Sequence, residues 1–168
     1  MRDDSGVSAQ PEKPAGRPLT FSAVPADASP ARELIAAMVD ELEAFYGRID
    51  RPGMPSATAG DFAPPDGVCL VGRLCDEPVC VGAVKRLGPG LAEIKRIYVA
   101  PAGRSQGVAR ALLGALEDAA RERGYERVRL DTGPRQPHAR TLYLSAGYRE
   151  IPDYNQNPAA SFWGEKDL

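Results

Sequence analysis

Between residues 91 and 130 the sequence changes its apolar rhythm from strand to helix and back to strand, and this order constrains the fold more than any other feature. Residues 91–99 read as a strand, and a loop bearing a glycine follows Pro101. Residues 108–123 then carry Ala109, Leu112, Leu113, Leu116 and Ala120 on one helical face, and Gly124 ends the helix. Residues 127–130 alternate polar and apolar as a strand does. A strand, a helix and a strand in succession imply a parallel crossover, with the helix covering one face of the sheet.

Upstream, the runs 68–74, 79–87 and 91–99 are separated by Cys75-Asp76-Glu77-Pro78 and Gly88-Pro89-Gly90, short turns that imply antiparallel hairpins. A first strand is expected over 19–24. Ser29 as N-cap and Pro30 at the first helical position open a helix over 31–46. Its Ile35, Met38, Val39, Leu42, Phe45 and Tyr46 recur at three-and-four spacing, which predicts a core-facing stripe closed by Gly47. Residues 48–66, rich in Pro, Gly, Ser and Ala, form a long irregular connection of the kind that contacts substrate. A further helix over 137–146 stops at Gly147, and strands over 148–151 and 161–165 complete an α+β domain around a mixed sheet. Residues 1–18 are polar and read as a disordered tail before a single domain over 19–168.

Composition narrows the function. A chain of 168 residues with 43% hydrophobic content builds one core. Its 21 basic and 23 acidic residues offer no general attraction to nucleic acid. The three cysteines lack the spacing of a zinc or redox motif and fit a reducing compartment. His138 is the only histidine, so a multi-imidazole metal site is excluded, no metal is expected, and His138 itself reads as a surface residue. Asp3 and Asp4 stand where a signal peptide needs basic residues, and no stretch reaches membrane-spanning length; the expected location is the cytoplasm.

The loop Arg104-Ser105-Gln106-Gly107-Val108-Ala109 enters the strongest helix. Small residues there let a ligand approach the backbone, and the free amides and dipole of a helix start suit a diphosphate. It lacks the Lys-Ser or Lys-Thr pair of a P-loop and the three glycines of a dinucleotide fingerprint.

Arg104, Gly107 and Ala109 match the signature of the GNAT superfamily of N-acetyltransferases, which the sequence resembles: Arg or Gln, two residues, Gly, one residue, Gly or Ala. Residues 93–101 look like the family's fourth strand. Leu130-Asp131-Thr132-Gly133 and the segment 139–148, with Leu142-Tyr143 and Gly147-Tyr148, look like its fifth strand and next helix. The resemblance covers residues 19–168 and implies a GNAT-like sheet of about seven strands, with splayed parallel fourth and fifth strands flanked by helices. It implies acetyl-CoA as co-substrate, its pantetheine arm bonded to the main chain of Ile97, Tyr98 and Val99. Amides of Ser105, Gln106, Gly107, Val108, Ala109 and Arg110 would hold the diphosphate, with charge from the Arg104 and Arg110 side chains. Gln136 stands where many relatives have a coenzyme-contacting asparagine.

The implied reaction transfers acetyl to an amine by direct attack in a ternary complex. An ordinary amine is protonated at neutral pH, so a base is needed. Glu93 matches the glutamate of the histone acetyltransferase branch; the alternative is a strand carboxylate paired with Lys95 or Arg96. A backbone amide of Tyr98 or Val99 would stabilise the developing oxyanion. Tyr143 matches the family's general acid; the alternative is an aromatic packed under the sheet. Tyr46, Tyr154 and Asn155, with Glu93, are the expected acceptor contacts, and Phe162 and Trp163 are expected to pack, the alternative being a wall of the acceptor site. The expected partner is a small or amino-acid-like amine, with neither nucleic acid nor membrane, and the resemblance adds a homodimer. The other readings are a coenzyme-binding sensor without turnover and an acetyltransferase directed at a protein lysine or N-terminus.

Overall fold

The computed structural model describes residues 18–48 and 57–168. The expected tail over 1–18 lies outside the described residues but for Pro18, as does the middle of the 48–66 connection. The elements are β1 (Leu19–Ala23), α1 (Ala31–Tyr46), β2 (Val68–Leu74), β3 (Glu77–Gly88), β4 (Leu91–Val99), α2 (Val108–Glu122), β5 (Arg127–Thr132), α3 (Pro137–Ser145), β6 (Arg149–Glu150) and β7 (Phe162–Asp167). They build one seven-stranded sheet in the order β1-β2-β3-β4-β5-β7-β6. Every neighbouring pair is antiparallel except β4 and β5, the two strands joined by the α2 crossover.

The meander β1 to β4 follows from its turns. Cys75 and Asp76 both take positive φ, 52° and 68°, between the paired Leu74 and Glu77. Two residues with φ above zero match the right-handed twist of the flanking strands, so β3 begins at Glu77 rather than at Val79.

The core lies on both faces of the sheet. On one face Val108, Leu112, Leu113, Leu116 and Ala120 of α2 pack on Val84, Ala92, Ile94, Val128 and Leu130, with Tyr143, Tyr148 and Phe162 beside them. Leu112 and Leu116 are 0% exposed, and burying such a side chain stabilises by about 1.5–3 kcal/mol. A Cβ on Gly82 of β3 would stand 2.6 Å from a Leu116 methyl, so the helix rests directly on the strand there. On the opposite face Ala31 and Leu34 of α1 pack with Phe62, Val71, Val81 and Ala83.

Three expectations change. Ser29 makes no capping bond and Pro30 is the N-cap, so α1 starts at Ala31. The α1 stripe is only partly core: Ala31, Leu34 and Met38 are buried, Ile35, Val39 and Leu42 are half-buried, and Phe45 is 42% exposed. The reason lies in where the helix goes. Its second half reaches from the end of β4, where Glu41 meets Arg104, to the end of β5, where Tyr46 meets Arg135, and these two strand ends stand apart. Finally β6 is reduced to two residues because Tyr148 turns into the core, whereas β7 runs on to Asp167. Glu165 on β7 accepts from Arg129 at 2.7 Å and from Arg149, which ties β5, β7 and β6 together.

Candidate active site

β4 and β5 pair over only three residues: Leu91 with Arg127, Ala92 with Val128 and Glu93 with Arg129. Beyond them β4 stays with β3 as far as Val99, and β5 stays with β7 as far as Thr132. A bulge separates the two. Ala83 faces Lys95 while Val81 faces Tyr98, so β4 carries one extra residue, and Arg96 takes a φ of +60°. An added residue bends its strand, and here the bend opens a wedge whose β4 wall is formed by Ile97, Tyr98 and Val99.

The mouth of the wedge is the turn into α2. Ser105 and Gly107 have φ of +60° and +76°, which curls the backbone back on itself before Val108. Among the described residues, no backbone or side-chain acceptor meets the amides from Ser105 to Arg110, and the first bonded one is Ala111, which donates to the Gly107 carbonyl. Several free amides at the start of a 15-residue helix make an anion site. The Arg104 side chain points elsewhere. It donates to the Val99 carbonyl at 3.0 Å and to Glu41 on α1 at 2.7 Å, bracing the loop against the helix. Arg110 donates to the Ser145 hydroxyl on α3, and Gln106 to the Ala102 carbonyl.

Where the strands part, a polar cluster gathers around Glu93, which is 3% exposed. Its Oε1 accepts from the Tyr154 hydroxyl at 2.8 Å and from Asn155 Nδ2 at 3.3 Å, and Lys95 Nζ lies at 3.2 Å. The second oxygen, Oε2, takes no donor among the described residues. Asn155 also donates to Asp131 on β5, and its Oδ1 accepts from Trp163 Nε1 at 2.9 Å. An indole nitrogen only donates, so this bond fixes which way the amide points. Asn157 Nδ2 reaches the same Asp131 oxygen at 3.3 Å. Burial, and then the negative charge of Glu93, push the Tyr154 phenol far above its usual range, so it keeps its proton and remains a donor.

The structure thus brings Glu93, Tyr154 and Asn155 together as the sequence reading expected, and the Lys95 ion pair of the alternative reading is present as well. Asp131 and Asn157 belong to the same cluster and were not singled out for it, and Trp163, expected to pack or to wall the acceptor site, joins it through its indole nitrogen. Trp163 pairs with Asp131 across β5 and β7, on the face opposite Phe162, a signal that strand alternation carries, whereas nothing in the sequence marks Asn157. Tyr46 lies at the far end of α1, where its hydroxyl accepts from the Arg135 amide at 2.9 Å and packs against Gly133.

Tyr143 of α3 is 5% exposed, with ring centroids of Tyr148 and Phe162 at 5.9 and 6.4 Å. Its hydroxyl makes no hydrogen bond among the described residues. Burial first, and the nearby Asp131 charge second, push the phenol well above its usual range. Gln136, the N-cap of α3, accepts from the Thr132 hydroxyl at 3.0 Å. It lines a cavity of about 330 Å³ with Arg140, Glu150 and Phe162. His138 is exposed.

Comparisons with known proteins agree with this fold. A family model described as Acetyltransferase (GNAT) family matches residues 35–148. A relative named IAA acetyltransferase, from Azospirillum brasilense, is 29% identical over 83% of this chain and 94% of its own length. A solved structure of an inferred acyl-CoA N-acyltransferase from Klebsiella pneumoniae superposes with a TM-score of 0.71 at 30% identity, over 89% of this chain and 97% of the other. A family acetyltransferase from Elizabethkingia anophelis, solved with acetyl-CoA bound, shares the fold with a TM-score of 0.64 at 17% identity, over 89% of this chain and 98% of its own.

Proposed function

Because the chain belongs to the Acetyltransferase (GNAT) family and is an acyltransferase, we propose that it moves the acetyl group of acetyl-CoA to the amine of a small or amino-acid-like acceptor, by direct attack. The observation that carries the reading is the wedge beyond the three-residue pairing of β4 and β5, with free amides at its mouth. Such a gap takes an extended chain as an added strand edge, and the helix start takes its diphosphate. Main-chain groups of Ile97 and Val99 would hold the arm, while Tyr98 between them, expected to join in, is paired with Val81 of β3. The amides of Ser105, Gln106, Gly107, Val108, Ala109 and Arg110 would hold the phosphates. Arg104 would contribute by fixing the loop while its side chain stays on Glu41. Gln136 lies on the β5 side of the same opening. Bound acetyl-CoA supplies a thioester carbon as electrophile.

Glu93 is the base of this proposal. One oxygen is fixed by Tyr154 and Asn155, and the other is left to take the proton of the amine as the carbon–nitrogen bond forms. The amide of Val99, on the open edge, would meet the developing oxyanion, whereas that of Tyr98 faces β3, since Ala100 two residues on donates to the Val79 carbonyl. Tyr143, like any phenol, is protonated at neutral pH, so it has a proton to give the sulfur as the carbon–sulfur bond breaks. Tyr154, Asn155 and Tyr46 would line the acceptor side.

Purified protein should release free thiol from acetyl-CoA when given suitable amines. Tyr143→Phe should lower kcat by about a hundredfold or more while coenzyme affinity changes by only a few-fold. Equal loss of turnover and affinity would remove the acid role.

A further inference from the structure

The basic side chains of this protein are mostly answered by acids. Arg104, Arg121, Arg127, Arg129, Arg140 and Arg149 each reach a carboxylate within 4.0 Å. Arg96 is half-buried and reaches none among the described residues; its one bond there is to the Ala57 carbonyl at 3.2 Å. Desolvation lowers its pKa from the ordinary arginine value, yet a guanidinium stays protonated, so a positive charge is held partly out of water with no anion beside it among the described residues.

Arg73 and Arg123 are half-buried without a carboxylate among the described residues too, but each lies outside the opening between β4 and β5; what sets Arg96 apart is its place. Arg96 is the extra residue of the β4 bulge, with φ at +60°, a region that costs a residue with a side chain roughly 1–3 kcal/mol. The bend carries the side chain toward Ala57, on the face of the sheet where Ala57 and Tyr98 pack beside α1. Glu93 stands three residues earlier on the same strand. At about 3.3 Å per residue the two backbones are within roughly 10 Å, a span that two side chains and a small zwitterion fill.

We propose that the Arg96 guanidinium binds a carboxylate carried by the acceptor, so that the acceptor is an amino acid or a similar amine with an acid group close to the nitrogen. The inference rests on the acetyltransferase reading and gives its acceptor a chemical class. Glu93 would take the ammonium end and Arg96 the acid end. The five donors of a guanidinium suit a carboxylate, and among the described residues only one of them is engaged. The diphosphate of the coenzyme is a less suitable anion, because its amides lie beyond Val99, past the far end of β4 from Glu93.

The test is a panel of amino acids, each paired with the amine left when its carboxyl group is removed, assayed by thiol release from acetyl-CoA. The acid-bearing member of at least one pair should have the higher kcat/KM by about tenfold or more. Arg96→Met should reduce that ratio toward one, and Arg96→Lys should restore part of it. Thermal stabilisation by coenzyme A serves as the folding control for each variant and tests the family reading independently. The proposal falls if the amines without carboxylate are equal or better substrates throughout. It falls if Arg96→Met lowers coenzyme affinity and leaves the ratio untouched. It falls too if coenzyme A stabilises the protein but no acid-bearing amine is acetylated or adds further stabilisation.

Discussion

Tyr154 separates orientation from chemistry at the level of single residues. Its hydroxyl donates to Glu93 while its ring lies 5.2 Å from the Arg129 guanidinium, so Tyr154→Phe keeps the ring and removes only the donor. This change should lower kcat by about tenfold with acceptor KM nearly constant, and it should preserve stabilisation by coenzyme A. A lower melting temperature with unchanged kcat would assign the tyrosine to packing instead. Glu93 was legible because its strand position is tied to a motif, and Tyr154 and Asn155 because polar residues just after a strand tend to face a site. Asn157 was not legible: the turn that carries it to Asp131 depends on Asp153 accepting from the amides of Asn155 and Gln156, a local geometry without periodicity.

Elements were most readable where one period dominates. The apolar face of α2 could pack in one way only, and its end at Gly124 was plain. The α1 pattern had a helical period as well, yet half of it faces the opening between two strand ends. Periodicity reports which residues share a face and says nothing about what lies under it. The junction before α2 is where element and function meet. Gly107 has a left-handed φ of +76°, and a Cβ there would touch nothing within 4 Å. Gly107→Ala should therefore cost about 1–2 kcal/mol through the backbone, or roughly 2–8 °C in melting temperature. It should also weaken coenzyme binding, because the new methyl stands where the ligand approaches. Unchanged affinity in a folded variant would place the diphosphate elsewhere.

For the whole molecule, the order of strands and helices was set by the hairpin turns and the crossover, both written in the sequence. The wedge was not, because nothing in the alternation of β4 marks Arg96 as an extra residue; only the family resemblance suggested the splay. The outer half of β4, at Ile97 and Val99, and the turn before α2 leave amides free for the coenzyme. Amide hydrogen exchange with and without coenzyme A tests this most directly. Protection should rise at Ile97, Val99 and residues 105–110 and change little in β1 and β2. Slow exchange at those positions before the coenzyme is added, or no change when it binds, would contradict the account.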